Sequence, residues 1–412
     1  MKRLGIYVQV PFCQTKCSYC NFHTGVVATE RFAPYVEAVC KEIRQHPQLL
    51  SAAGVDWHGC LGRGSAGALQ GENGPAGASS EGFLVDTVYF GGGTPSLLEP
   101  GYLKEIVEEV RRAFRTALEE VTLEADPETV KGEKATAWVG AGINRVSFGV
   151  QSFSDKELKA AGRMHRRTDI YRSVPILRAA GIRNISFDLI AGLPHQTRGS
   201  WKESLAELVA VAPEHVSVYL LEVDEGSRLG RELLGGGTRY SAAAVPSEDE
   251  MAEFYEMAQQ ALGAAGYRHY EISNWAKPGF RSKHNLKYWR REAYLGFGAG
   301  AHSFSGKQRW ANAHDAAAYV GAIEAGRLLV EQLETVTPEQ ALDEELFLGL
   351  RQLDGIDVAR IEREYGVTLR GRLEPLAAAG LLERDGNVVR LAEDRLSVSN
   401  EVFVELMNIA TR

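Results

Sequence analysis

The chain has 412 residues, of which 44% are hydrophobic and 24% charged, enough to bury one large core and a smaller second one. Its 46 basic and 54 acidic residues give a net charge of −8, which argues against polyphosphate and excludes nucleic acid as an expected partner. Met1-Lys2-Arg3 runs straight into a short apolar stretch containing Gln9, so neither a signal peptide nor stable membrane insertion is expected, and five cysteines, three of them clustered, fit a reducing cytoplasm better than a disulfide framework.

The first predicted strand, 4–10, leads directly into Pro-Phe-Cys-Gln-Thr-Lys-Cys-Ser-Tyr-Cys, which places Cys13, Cys17 and Cys20 on one short loop. Three thiolates so spaced can hold three corners of a cubane iron–sulfur cluster and leave the fourth iron open, whereas ferredoxin runs cap every iron with protein. A zinc ion held by the three cysteines and His23 is the alternative that ligand softness and count equally allow. Cys40 and Cys60 stand alone and are assigned no role.

Further β-branched runs recur at 85–90, 121–125, 145–150, 185–190 and 215–223, and helix-period stretches lie at 32–44, 102–118, 155–162, 171–180, 201–211 and 249–265. Six strand–helix units in series predict an α/β fold with a parallel sheet, either a closed or partly closed TIM-type barrel or a doubly wound sheet. The unusual polar residues gather at one end of these strands. The cysteine loop follows the first and Gly91-Gly92-Gly93-Thr94-Pro95 the second; Glu124 and Asp126 belong to the third, Gln151 to the fourth, Asp188 to the fifth and Glu222 to the sixth. A glycine run alone is ordinarily a turn, and a lone strand-end carboxylate ordinarily a helix cap. Polar residues from four different strands point instead to one ligand at the carboxyl ends of a barrel.

Two segments depart from this plan. Residues 47–83 carry nine glycines in 37 positions without periodicity and are predicted to be a disordered insertion, in which His58 and Cys60 hold no site. Helical patterns at 339–353, 358–364 and 370–379, followed by a hairpin across Asp385-Gly386, predict a winged-helix-like module. Its nine Lys/Arg against sixteen Asp/Glu from Glu334 to Arg412 argue against DNA. The expected division is a core barrel over 1–240, a barrel-closing and connecting region over 241–333, and a C-terminal domain over 334–412.

The cysteine loop with Tyr7 ahead of it, Gly-Gly-Gly-Thr-Pro-Ser at 91–96, Leu-Glu-Ala-Asp-Pro at 123–127, Gly-Val-Gln-Ser-Phe at 149–153, Gly-Arg-Met-His at 162–165 and Phe-Asp-Leu-Ile-Ala-Gly-Leu-Pro at 187–194 occur in that order. Together they resemble the coproporphyrinogen dehydrogenase-like branch of the radical S-adenosylmethionine (SAM) family, over nearly the whole chain. The resemblance implies a partial (β/α)6 barrel with a small C-terminal domain, a [4Fe–4S] cluster on Cys13, Cys17 and Cys20, and SAM on its open iron. It further implies Tyr7 near the sulfonium, with Gly92, Gly93 and Thr94 at the amino group and Glu124 also reaching the cofactor. Gln151 and Asp188 would bond the ribose, and Arg163 would face the carboxylate in a fork geometry. Gln9 stands where relatives commonly place His.

Within this branch the oxygen-independent coproporphyrinogen III oxidases, which are oxidative decarboxylases, carry a fourth cysteine two residues after the third and an extra N-terminal segment. This sequence has Phe22 at that position and starts at the strand. By resemblance it stands closer to the branch's heme chaperones, which bind heme and deliver it to apo-hemoproteins; a radical SAM enzyme of tetrapyrrole metabolism is the alternative. His284-Asn285-Leu286-Lys287-Tyr288-Trp289 matches an H-N-x-x-Y-W segment associated with heme in those chaperones. The expectation is therefore an axial bond from His284, aromatic packing from Tyr288 and Trp289, and propionate pairing by Arg281, Lys283, Lys287, Arg290 and Arg291. The competing reading has His284 and Asn285 capping a loop while Tyr288 and Trp289 fill core. An electron donor for the cluster completes the expected partners.

Overall fold

Period-two burial sets the first strand. In β1 (Arg3–Val10) Leu4, Ile6, Val8 and Val10 are buried in the main core, while Tyr7 and Gln9 alternate to the opposite face. The computed structural model describes residues 2–57 and 82–410. After β1 come α1 (Phe32–Ala52), β2 (Leu84–Gly92), α2 (Pro100–Ala113), β3 (Thr116–Ala125), α3 (Gly132–Gly140), β4 (Arg145–Gln151), α4 (Asp155–Ala160) and α5 (Arg167–Ala180). The core series ends with β5 (Asn184–Ala191), α6 (Arg198–Val211) and β6 (His215–Leu220). Strands β1 to β6 are neighbours in sequence order and all parallel, so every polar strand end opens on the same side.

The remaining elements extend this sheet. They are α7 (Arg228–Leu234), α8 (Glu248–Ala264), β7 (Arg268–Glu271), β8 (Asn274–Ala276), α9 (Lys283–Trp289), β9 (Tyr294–Phe297), β10 (His302–Phe304), β11 (Gln308–Asn312), α10 (Ala316–Glu324) and β12 (Val330–Thr335). The sheet has twelve strands in the order β12-β11-β10-β9-β1-β2-β3-β4-β5-β6-β8-β7. β1 pairs with β9 and β6 with β8, so the six core strands form a partial barrel rather than a closed one. Residues 241–333 thus lengthen both ends of the sheet.

Several boundaries differ from those expected; the sixth strand, expected over 215–223, ends at Leu220 and leaves Glu222 in the loop after it. The helix after β1 does not stop before Pro47 but runs to Ala52. Proline lacks the N–H that would bond the Ile43 carbonyl; His46 Nδ1 takes that place at 2.8 Å. Residues 47–52 therefore belong to α1, and most of the predicted insertion, with His58 and Cys60, lies outside the described residues. The helix expected over 102–118 ends at Ala113, where buried Phe114 is extended, and Leu118 joins β3.

The C-terminal unit contains α11 (Pro338–Leu350), β13 (Ile356–Asp357), α12 (Val358–Tyr365), α13 (Arg370–Ala378), β14 (Leu382–Asp385), β15 (Val388–Leu391) and α14 (Ser399–Ala410). Its small antiparallel sheet has the order β13-β15-β14, with left-handed Gly386 in the two-residue turn of the hairpin. Among the described residues no helix is long and apolar enough to cross a membrane.

Candidate functional site

The carboxyl ends of the barrel strands open into a cavity of about 640 Å³. Cys13, Cys17 and Cys20 line it from the first loop, and Gly92, Gly93, Thr94 and Glu124 from β2, its following turn and β3. Gln151 and Asp188 reach it from β4 and β5, and Arg163 from the turn after α4. All of the core residues that the sequence proposed for cluster and SAM share this cavity except Tyr7.

The cysteine loop is held from behind. Ser18 N donates to Ala161 O at 3.1 Å, and Leu229 N donates to Ser18 O at 2.8 Å, which pins the loop between the end of α4 and the start of α7. The three cysteines are free thiols. Burial raises the thiol pKa of Cys13 and Cys20, while the Arg163 guanidinium stands 3.6 Å from Cys17 Sγ. Three thiols facing one cavity beside a guanidinium suit a cubane, which attaches at separate corners. Among the described residues no three His, Cys, Asp or Glu side chains are grouped so as to hold a single metal ion. His23, the fourth ligand of the zinc alternative, packs its ring 4.2 Å from that of His314.

The glycine run is needed for packing as well as for ligand approach. A Cβ on Gly93 would come within 2.5 Å of the Phe12 carbonyl, and one on Gly92, at φ 104°, would strike the Gln9 side chain. β2 and its turn can therefore lie against the root of the cysteine loop only without side chains. Gln9 covers Gly92 and accepts a bond from Tyr7 Oη at 2.7 Å.

Glu124 accepts bonds from Tyr89 Oη at 2.8 Å and Gly92 N at 3.1 Å, yet burial, with repulsion from Asp188 and Asp126, raises its pKa to about 7. A carboxylate held this way gains from meeting an ammonium group. Asp188 accepts from Ser147 Oγ at 3.0 Å, and burial raises its pKa too. Gln151, which lines the site, has φ 62°, left-handed backbone that is costly outside glycine.

Arg163 is held by three groups. Its Nη2 pairs with the Asp126 carboxylate and donates to Gly149 O at 2.9 Å, and its Nε faces His165 Nδ1 at 3.4 Å. His165 Nε2 lies 3.1 Å from Val150 O, and burial lowers its pKa to about 4. The ring is therefore neutral, donates from Nε2 and can accept from Arg163 through Nδ1. The sequence reading gave neither Asp126 nor His165 a specific role, although Asp126 stood among the strand-end residues and His165 in a quoted motif. It also missed Arg145 and Arg351, which line the cavity and whose Nε atoms are buried without a partner. An arginine at the start of a β-branched run, or after a helix, gives no sequence signal of that kind.

Two expectations do not fit this geometry. Tyr7 does not line the cavity; its ring stacks behind Tyr89, 6.0 Å away, and Tyr89 occupies the wall. His284 is 1% exposed, with Nδ1 2.9 Å from Thr87 Oγ1 and Nε2 2.9 Å from Tyr288 Oη. Burial lowers its pKa to about 3. With both ring nitrogens engaged, this geometry favours the competing reading, in which the segment packs as core, over the expectation of an axial bond from His284. The neighbouring cations are likewise engaged: Arg281 by Asp354, Lys283 by Glu119, Lys287 by Asp86 and Glu292, and Arg291 by Glu344. Only Asn285 of this segment reaches the cavity.

Residues 78–208 match the radical SAM superfamily and residues 336–394 match the HemN C-terminal domain. With the partial barrel and its cysteine loop, these matches define a radical SAM protein, a class whose cofactors are a [4Fe–4S] cluster and SAM. The chain is 33% identical over 403 residues to the heme chaperone HemW of Bacillus subtilis, covering 96% of this chain and 97% of that one. It is also 33% identical over 300 residues to HemW of Escherichia coli, covering 73% and 69% of the two chains. The chain belongs to the HemW family. Among solved structures, the coproporphyrinogen III oxidase HemN from Escherichia coli superposes with a TM-score of 0.78 at 20% identity, covering 99% of this chain and 90% of that one, which shows a shared fold.

Proposed function

We propose that the protein binds heme and passes it to apo-hemoproteins in the cytoplasm, using a cluster on Cys13, Cys17 and Cys20 and SAM beside it. The observation that carries this reading is the likeness, over nearly the full length of both chains, to a protein named a heme chaperone. Phe22 adds to it: exposed at the cavity rim, it occupies the position where the decarboxylases carry a further cysteine.

When bound, the cluster and SAM supply one-electron and radical chemistry. The chain's own residues bind and orient. Glu124 and the turn at Gly92–Thr94 receive the amino group, Gln151 and Asp188 accept from ribose hydroxyls, and Arg163 exchanges part of its contact with Asp126 for the SAM carboxylate. Deeper in the barrel, Arg145, at the amino end of β4, and Arg351 are the cations that line the cavity and would meet propionates, beside a wall that includes Tyr219, Leu221 and Ile272.

The test is a heme titration of the anaerobically reconstituted protein, expected to give a saturable stoichiometric complex. Absence of saturable binding overturns the chaperone reading. A second reading, a SAM-cleaving enzyme, is favoured by the SAM-directed residues that share the cavity, all those expected but Tyr7. Multiple turnovers of coproporphyrinogen III to protoporphyrinogen IX would establish it; none are expected.

A further inference from the structure

Glu128 lies in the short helical turn Pro127–Thr129 that follows β3, and its Oε2 is buried with no hydrogen-bond partner among the described residues. That oxygen stands 3.9 Å from His165 Nδ1. The same nitrogen faces Arg163 Nε at 3.4 Å, and Arg163 Nη2 pairs with Asp126. A line of side chains thus runs from Glu128, which borders a separate recess against α3, through the imidazole to the guanidinium in the cavity. His165 Nε2 donates to Val150 O, so Nδ1 presents a lone pair, which Arg163 at its distance uses only weakly. An ionised Glu128 held against that lone pair leaves a buried charge unpaired, whereas a protonated one needs only a small rotation to donate to Nδ1. Burial, then repulsion from Asp126, raises the Glu128 pKa to about 7, with Asp169 adding to the rise and Arg163 opposing it. Glu99, Lys131, Glu133 and Lys134 are the charged side chains that border the recess beside it.

We propose that Glu128 is a positioning residue for SAM: it shares one proton with His165 behind Arg163, and that proton is held more tightly once a carboxylate binds the guanidinium. The inference rests on the SAM reading above and adds to it a residue and a proton linkage. A SAM carboxylate at Arg163 draws the guanidinium from Asp126 and brings one more negative charge to a group that already holds Asp126 and Asp169. An ionised Glu128 would add a further acid around one cation, so binding favours its protonated form, and molecules in which Glu128 was ionised take up a proton from solvent. Linkage then sets the sign. The affinity due to this proton is fully present below the Glu128 pKa of the free protein, and is lost as pH rises through the higher pKa of the complex.

The test compares the native chain with Glu128→Gln, whose amide can donate to His165 at every pH, and with the control Glu133→Gln on the same recess. SAM binding to the cluster-loaded proteins is measured by anaerobic equilibrium dialysis. Affinity of the native chain relative to Glu128→Gln should fall about threefold or more between about pH 6 and about pH 8.5. The ratio is the readout because Glu124, which also titrates at about 7, faces the amino group on the reading above and moves the affinity the other way in both proteins. Calorimetry in buffers of different ionisation enthalpy should record proton uptake on binding by the native chain and less by Glu128→Gln, and Glu133→Gln should follow the native chain. The cluster-free protein gives a second readout. Imidazole nitrogen resonances of His165, assigned with His165→Ala, should move with pH at about 7 in the native chain and hold constant there in Glu128→Gln. A ratio that does not change with pH, or a His165 titration that survives Glu128→Gln, overturns the proposal. Absence of SAM binding by all three proteins would overturn the SAM reading instead, and the His165 resonances would still decide the shared proton.

Discussion

His284 and Arg163 look alike in the sequence: each is a polar residue inside a short motif whose relatives suggest a ligand role. Burial separates them. Arg163 projects into the cavity with Asp126 and His165 holding its guanidinium, whereas His284 spends both nitrogens on Thr87 and Tyr288. Sequence spacing shows which residues travel together but not which way a short helix faces, and so Asn285 rather than His284 reaches the cavity. His284→Ala should leave heme affinity unchanged and destabilise the fold by about 2–4 kcal/mol, because it opens a cavity and strands two buried hydroxyls. Denaturant unfolding beside a heme titration checks both; weakened heme binding at unchanged stability would restore the ligand role. His165→Ala should act through Arg163, weakening SAM binding severalfold without changing the amount of cluster assembled. Equilibrium dialysis against SAM, with iron quantified in parallel, distinguishes this from loss of the loop. His165→Asn, which can retain a bond to Arg163, should restore part of the affinity.

At the scale of elements, the six strand–helix units were legible because each strand carries a β-branched run and each helix an apolar stripe, both driven by the same core. At Pro47 a side chain had replaced a backbone bond. His46 supplies the donor that Pro47 lacks, which lets α1 continue through a residue that ordinarily ends a helix. α9 is a second case. Its first turn is closed by Glu120 of β3, which accepts from the backbone N of Lys283 and of His284 at 3.1 and 3.0 Å. Lys287 forms an ion pair with Asp86 at 2.8 Å, both side chains 4% exposed, and Gly5 of β1 leaves room for Lys287 and His284. The H-N-x-x-Y-W segment is thus a plug fixed to β1, β2 and β3. Glu120→Ala should unpair those amides and cost roughly 1–3 kcal/mol. Hydrogen exchange should show protection lost first over residues 282–289. Unchanged protection there would mean that the plug does not depend on Glu120.

Across the whole molecule, the cavity is completed by parts far apart in sequence. Arg351, Leu396, Ser399 and Asn400 of the C-terminal unit join residues of the six core strands and their loops around it. Composition and hairpin signals anticipated that unit's elements, but nothing in a winged-helix-like pattern reveals that it contributes to a cavity wall. The other long-range tie is Glu42 of α1, which accepts bonds from Gly298 N at 2.9 Å, Asn312 Nδ2 at 2.7 Å and Tyr319 Oη at 2.6 Å. It joins the helix layer to the antiparallel extension of the sheet. Burial raises its pKa to about 7, more than its three donors can offset, from an ordinary value of 4.5. The folded protein therefore keeps a proton that the unfolded chain releases. Stability from this group is fully present below about pH 4.5 and is lost as pH rises through about 7, by on the order of 3 kcal/mol. Glu42→Gln removes the titration whatever constant offset it introduces. Unfolding free energies of the two proteins, measured at steps from about pH 5 to about pH 8, should therefore diverge, the native chain losing stability relative to the variant as pH rises. Parallel curves would mean that Glu42 is ionised throughout and that its three donors, not its proton, hold the sheet extension to α1.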